Sequence, residues 1–202
     1  LVAAGEVDLA IGGDQGGSIR IPASYCGIYG MKPTHGLVPY TGIMPVEVTI
    51  DHTGPMTNNV EDNALMLEVI AGVDGYDPRQ TNVKTQRYTE ALQGTEGLKG
   101  LKIAVVKEGY LQENTEKDVN EKVQAAAAAL KSLGATVDEV SIPLHLVGPA
   151  LGTPIGVEGS TQTMMWGDGY GVSRPDLYVT SLMDFHRNWR NRANELSETV
   201  KL

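Results

Sequence analysis

Cysteine occurs once in the 202 residues, at Cys26. A lone thiol excludes an internal disulfide and any multi-cysteine zinc site, and it fits a reducing cytoplasm. Aromatic side chains make up only 5% of the chain, and no apolar run approaches membrane-spanning length, so no membrane partner is expected. Positive charge is in the minority: 16 Lys and Arg stand against 25 Asp and Glu, a formal charge of −9. A general binder of phosphate backbones needs a basic face, so nucleic acid is not an expected partner. His35, His52, His145 and His186 are too scattered to argue for a metal site, and no cofactor is expected. What the chain holds in quantity is glycine, 24 residues of it, the residue for tight turns and close backbone approach. With 41% apolar and 20% charged residues, it reads as one substantial globular domain.

Periodicity organises the chain unevenly. Val7, Leu9 and Ile11 alternate with Asp8 and Ala10, which predicts a strand over 5–11 with one face buried. Residues 19–60 are rich in glycine, proline and threonine and read as packed irregular structure. A helix is predicted over 60–71, ended by Gly72, and a polar connector over 74–99. A strand over 101–106, an alanine-rich helix over 117–133 and a strand over 135–142 together predict a parallel crossover. Beyond Pro143 the reading is ambiguous until a helix near Asp176. There Leu177, Leu182, Phe185, Trp189, Ala193, Leu196 and Val200 recur at steps of three to five. That stripe runs to the end without a terminator, and the chain opens on Leu1. We therefore expect an internal piece of a longer protein.

Between the first strand and the irregular region lies Gly12-Gly13-Asp14-Gln15-Gly16-Gly17-Ser18. Such a run can turn several N–H groups toward one point and build a nest for negative charge. Gly12 and Gly17 have the spacing of a nucleotide P-loop, but Ser18 stands where its lysine belongs. A dinucleotide fingerprint is absent, and a Gly-x-Ser-x-Gly elbow on Gly16 and Ser18 fails at Arg20. Two readings of the loop stand. One is a serine held behind backbone donors, the arrangement acyl transfer needs for its developing oxyanion. The other is a glycine-rich turn whose serine caps a helix.

Residues 2–23 resemble the second half of the amidase signature, carried by Asp14, Gly16, Ser18, Ile19, Arg20, Pro22 and Ala23. Cys26-Gly27, Gly30-Met31-Lys32-Pro33-Thr34, Gly54-Pro55-Met56 and Asp62 resemble that family's continuation. The wording from Asp14 to Ser24 is similar to amide hydrolases that accompany nitrile-degrading enzymes. The resemblance implies an α/β fold, an α/β/α sandwich around a mixed sheet, present here only in part. Residues 1–202 would be the central portion of one domain, with 144–202 a variable, helical pocket or dimer region. It implies Ser18 as nucleophile of a Ser-Ser-Lys triad, with Gln15, Gly16, Gly17 and Ser18 giving the oxyanion hole. The bridging serine and the lysine would lie upstream of Leu1. A small amide substrate, no metal and no cofactor, a cytoplasmic location and a full-length homodimer are expected.

Other residues carry weaker signals. Asp51-His52 invites a Ser-His-Asp reading with Ser18, but nothing in the sequence brings the pair to the loop. Lys32 reads as a packing or hydrogen-bonding lysine rather than a replacement base, and Cys26 as a buried small hydrophobe. Asp14 and Arg20 read as braces of the loop, with Arg20 alternatively meeting an acidic substrate group. Met164, Met165, Trp166, Tyr170, Tyr178, Phe185 and Trp189 are either ordinary packing or the lining of an acyl pocket or dimer face. Three functions follow: an amide hydrolase, the amidase-like component of a tRNA-dependent amidotransferase, or a catalytically silent piece. Gln15, where such amidotransferase components usually carry threonine, weighs against the second.

Overall fold

The computed structural model describes residues 1–94, 97–110, 112–166 and 174–193. They fall into two compact units, Leu1–Leu92 with the segment from Gly152 onward, and Gln93–Leu151. The fold is mixed α/β, with antiparallel pairing in one small sheet and parallel pairing in another.

In the first unit β1 (Leu9–Gly13), β2 (Tyr29–Gly30) and β3 (Thr53–Thr57) form an antiparallel sheet in the order β1-β3-β2. Leu9 lies opposite Thr57 and Gly13 opposite Thr53. The predicted strand thus starts later than expected and runs into the glycine loop. Its apolar face is not buried: Leu9 and Ile11 are 44% and 57% exposed. Among the described residues no element covers the face of β1 that carries them. Gly12 is the close contact instead, since a Cβ there would lie 2.9 Å from both Ile19 and Met56.

The region read as irregular holds β2, β3 and the helix α1 (Arg20–Cys26). Propensity concealed them for identifiable reasons. α1 has seven residues and carries Pro22 in its first turn, where a missing N–H costs nothing. β3 contains Gly54-Pro55, a pair that argues against a strand. Gly54 is required there: a Cβ would collide with the Met31 carbonyl and lie 2.7 Å from Pro33 Cδ.

α2 (Val60–Ile70) follows the expected boundaries. Asn59 caps it by accepting the Asp62 N–H, and Glu61 and Asp62 suit the positive end of its dipole. It buries Asn63, Ala64, Met66 and Leu67. The Asn63 amide donates to the Tyr29 and Pro55 carbonyls and the Thr57 hydroxyl, joining helix to sheet. In the polar connector, α3 (Tyr88–Ala91) is tied to α2 by the Thr89 N–H and hydroxyl, both donated to Glu68.

The second unit realises the predicted crossover. β4 (Lys102–Val106) and β5 (Thr136–Val140) are parallel and flank α4 (Lys117–Ser132) in sequence. An apolar groove of about 470 Å³ lies between β4 and α4, lined among others by Ile103, Val105, Val119, Val123 and Leu130. Glu108, buried, accepts the Ser141 hydroxyl at 2.5 Å and the Ile142 N–H at 2.8 Å.

The stretch 144–202 contains α5 (Gly148–Trp166) and α6 (Thr180–Ala193), the latter preceded by a 3-10 turn at Pro175–Leu177. The last helix therefore begins after Asp176. The Tyr178 hydroxyl donates to the Met164 carbonyl at 3.0 Å, and Phe185 is 44% exposed. Tyr170, Leu196 and Val200 lie outside the described residues, as do the side chains of Met165, Trp166 and Trp189. Among the described residues no helix is long and apolar enough to cross a membrane.

Candidate functional site

The glycine loop is built around one carboxylate. Asp14 is fully buried, and its own N–H donates to the His52 carbonyl at 2.9 Å, which ties the loop to the start of β3. Asp14 Oδ1 accepts the Gly17 N–H at 2.7 Å and Arg20 Nη2 at 3.0 Å. Oδ2 accepts the N–H groups of Ile19 and Arg20 at 3.2 and 3.3 Å and Arg20 Nε at 2.9 Å. Burial pushes the Asp14 carboxyl up, but the bidentate guanidinium and the three N–H groups outweigh it and hold it at about 2. The loop thereby curls from residue 14 to residue 20 around a fixed negative charge.

Gly17 makes the curl possible, with φ at +132° and an imagined Cβ only 2.6 Å from Ile21 Cδ1. Its N–H is bonded to Asp14, so in this conformation Gly17 supplies the turn and its N–H is not open to a ligand. Ile19, fully buried, occupies the N-cap position of α1, and no side chain caps that helix. Ser18 is therefore not a helix cap. It stands exposed between the two, and among the described residues the N–H groups of Gln15, Gly16 and Ser18 have no protein acceptor.

Gln15 turns its side chain inward. Its Nε2 donates to the Tyr40 hydroxyl at 3.0 Å and to Asp51 Oδ1 at 2.8 Å. Asp51 is fully buried and also accepts the Val46 and Glu47 N–H groups. Arg79 Nη1 donates to the Asp51 carbonyl, and its guanidinium carbon lies 5.0 Å from the centre of the Tyr40 ring. Burial and then the Asp51 charge raise the Tyr40 hydroxyl above its ordinary value. Tyr40 carried no local signal in the sequence, and Asp51 was visible only as the neighbour of His52.

The structure separates the Asp51-His52 pair. His52 Nδ1 faces the Ile50 carbonyl at 2.8 Å, and its ring meets His35 edge-on at 5.3 Å. Burial lowers its basicity. Among the described residues no hydrogen bond joins His52 to Ser18, so a Ser-His-Asp relay is not assembled here. Lys32 Nζ donates to the Pro33 carbonyl at 3.1 Å. Cys26 is exposed, contrary to expectation, because only Ala23 of the short α1 faces the core. Arg20 is 52% exposed although its Nε–Nη2 edge is engaged by Asp14. No group of three or more His, Cys, Asp or Glu suited to a metal ion occurs among the described residues.

Comparison with known proteins gives the same loop a context. The family model described as Amidase matches residues 1–201. An enantioselective amidase of Rhodococcus rhodochrous is 46% identical over 205 residues, covering 100% of this chain and 39% of that protein. The A subunit of the glutamyl-tRNA(Gln) amidotransferase of Geobacillus sp. (strain WCH70) is 51% identical over 203 residues, covering 100% of this chain and 41% of that one. The crystal structure of the A subunit of the Thermotoga maritima glutamyl-tRNA(Gln) amidotransferase superposes with a TM-score of 0.73 at 34% identity. That match covers 95% of this chain and 42% of the other. The chain thus spans about two-fifths of the length of these relatives. A family match running through the loop, both units and the terminal helices places the chain plainly: it belongs to the amidase family.

Proposed function

We propose that the intact protein hydrolyses small aliphatic or aromatic carboxamides to a carboxylic acid and ammonia, with Ser18 as nucleophile. The observation that carries this reading is the exposed Ser18, whose own N–H and those of Gln15 and Gly16 have no protein acceptor among the described residues. A tetrahedral intermediate needs such donors where its oxygen becomes negative. Attack by Ser18 Oγ on the amide carbon forms the C–O bond, and a base takes the hydroxyl proton. Collapse breaks the C–N bond, the leaving nitrogen receives that proton, and ammonia departs. Water then cleaves the acyl-serine ester to the acid. The base and relay serine of the Ser-Ser-Lys triad would come from outside these 202 residues. Lysine suits that role because burial readily makes it neutral.

A second reading, the amidase-like component of a tRNA-dependent amidotransferase, is favoured by the 51% identical relative of that description. It predicts ammonia release that depends on glutamine and partner proteins. The test is an ammonia-release assay of the intact protein on a simple carboxamide, with and without glutamine. Glutamine-independent release, lost by at least about 10³-fold in Ser18→Ala, is the expected result. Undiminished release by Ser18→Ala would overturn the nucleophile assignment, and release only from glutamine would transfer the reading to the amidotransferase.

A further inference from the structure

The loop has two ends, and they are held by different carboxylates. Asp14 fixes residues 17, 19 and 20. Residues 15 and 16 lie outside that grip: Gly16 is exposed, and neither main-chain N–H has a protein acceptor among the described residues. What anchors them is the Gln15 side chain. Asp51 as a carboxylate only accepts hydrogen bonds, so the nitrogen of the Gln15 amide must face it. Both hydrogens of that nitrogen are then used, one on Asp51 Oδ1 and one on the Tyr40 hydroxyl. Asp51 is itself immobilised, for its Oδ2 accepts the Val46 and Glu47 N–H groups and its main-chain oxygen accepts Arg79 Nη1. Arg79 is in turn paired with Asp77 at 2.6 Å. A side chain pinned at its tip restricts the torsions of its own backbone, and with them the direction of the N–H groups of Gln15 and Gly16.

We propose that Asp51 and Tyr40 are positioning residues for the oxyanion-binding loop, acting through the side-chain amide of Gln15. The proposal rests on the reading in which Ser18 is the nucleophile. It assigns work to two residues, Tyr40 and Asp51, that lie 25 and 36 positions from Gln15 in sequence. Neither touches the reacting atoms, so their effect belongs in kcat rather than KM.

The network can be reversed as well as broken. Gln15→Glu places a second acceptor-only group against Asp51 and loses the bond between the two side chains, although the Tyr40 hydroxyl can turn to donate to the new carboxylate. Adding Asp51→Asn restores the lost bond with opposite polarity. The nitrogen of the introduced asparagine takes the place of Oδ1 and donates to the new carboxylate, giving up the longer Val46 N–H contact to Oδ1, while its oxygen replaces Oδ2 for Val46 and Glu47. The Tyr40 hydroxyl donates to the same carboxylate. In the intact protein assayed on a simple carboxamide, Gln15→Glu is expected to lower kcat on the order of 10²-fold with KM changed less than about threefold. The double variant is expected to recover at least about tenfold of that loss. Tyr40→Phe, the mildest change, leaves one Gln15 hydrogen unpaired, and is expected to lower kcat roughly threefold to tenfold at temperatures well below its modestly lowered melting temperature.

A double variant no better than Gln15→Glu, or losses of kcat that merely track a falling melting temperature, would overturn the proposal. So would wild-type kcat in Tyr40→Phe. Ser18→Ala measured alongside keeps the two claims apart. An inactive Ser18→Ala beside a fully active Gln15→Glu removes the positioning role alone, whereas an active Ser18→Ala removes the nucleophile itself.

Discussion

The two compact units differ in how far they rely on buried polar groups: the second has Glu108, bonded to Ser141 and Ile142, where the first has a connected set. In the first, buried positions include Asp14, Asp51, Thr53, Thr57 and Asn63, and bonds of Thr53, Asp51 and Asn63 span 41, 36 and 34 residues. Gln15 reaches Asp51 across 36 residues, and Asn58 reaches the Val2 carbonyl across 56. In the second, a strand, a helix and a strand follow one another, and β4 and β5 pair along their full length as parallel neighbours. Most of α4 stays exposed, with no fully buried residue. A buried polar group that loses its bond costs far more than an apolar contact that loosens, so a polar network admits few alternative conformations. A loop that must aim several N–H groups at one point benefits from that stiffness. A crossover helix resting on a strand does not require it.

Three measurements would break or sharpen this contrast. The largest effect is expected for Gly54→Ala in β3, where the new Cβ meets the Met31 carbonyl and Pro33. Because Gly54 lies opposite Gly12 in the sheet, relief would displace the strand that feeds the loop. A loss of about 3 kcal/mol is expected in denaturant unfolding of the intact protein. A neutral result would mean that the first unit is not tightly specified.

A smaller effect is expected from acid. Asp14 is held at about 2, below the ordinary 3.8, so it stabilises the folded chain above the higher value. That contribution disappears as pH falls from 3.8 through about 2. Arg20 is half exposed and screened by water, which reduces the contribution to on the order of 1 kcal/mol. Unfolding curves taken from about pH 5 down to about pH 2 check it, with Asp14→Asn expected to flatten the dependence.

The smallest effect is expected in the second unit. Val123 on α4 is 50% exposed and lines the groove. Val123→Ala loses part of a side chain's burial but gains helix propensity, and the two terms leave a change within about 0.5 kcal/mol. A loss above about 2 kcal/mol in the same unfolding assay would show that this helix packs as tightly as the loop half, and the contrast would vanish.

The crossover was legible in the sequence because its signals are local. An apolar run, an alanine-rich segment and Gly134 mark β4, α4 and the turn to β5 within one short stretch. α2 was legible for the same reason, from the apolar run between Leu65 and Ile70 and the glycine that follows it. β2, β3 and α1 were not, since Gly54-Pro55 and a seven-residue helix carrying Pro22 defeat propensity rules. Leu9 and Ile11 show the converse failure: their alternation marked a strand but not which side would be covered. Cys26 misled because composition says a free cysteine is often buried, while position at the end of α1 left it exposed.

By itself the sequence determined that Asp14, Gly16, Gly17, Ser18 and Arg20 stand at spacings only a tight turn can accommodate, because glycine alone relieves the backbone there. It also determined the order of strand, helix and strand in the second unit, because hydrophobic period and turn residues act over short distances. Tertiary structure decided that Gly17 gives its N–H to Asp14 rather than to the surface. It decided too that Asp51 serves Gln15 instead of His52. These are choices among several chemically acceptable hydrogen-bond partners, and only the folded chain brings one acceptor within reach of one donor while removing the competing water.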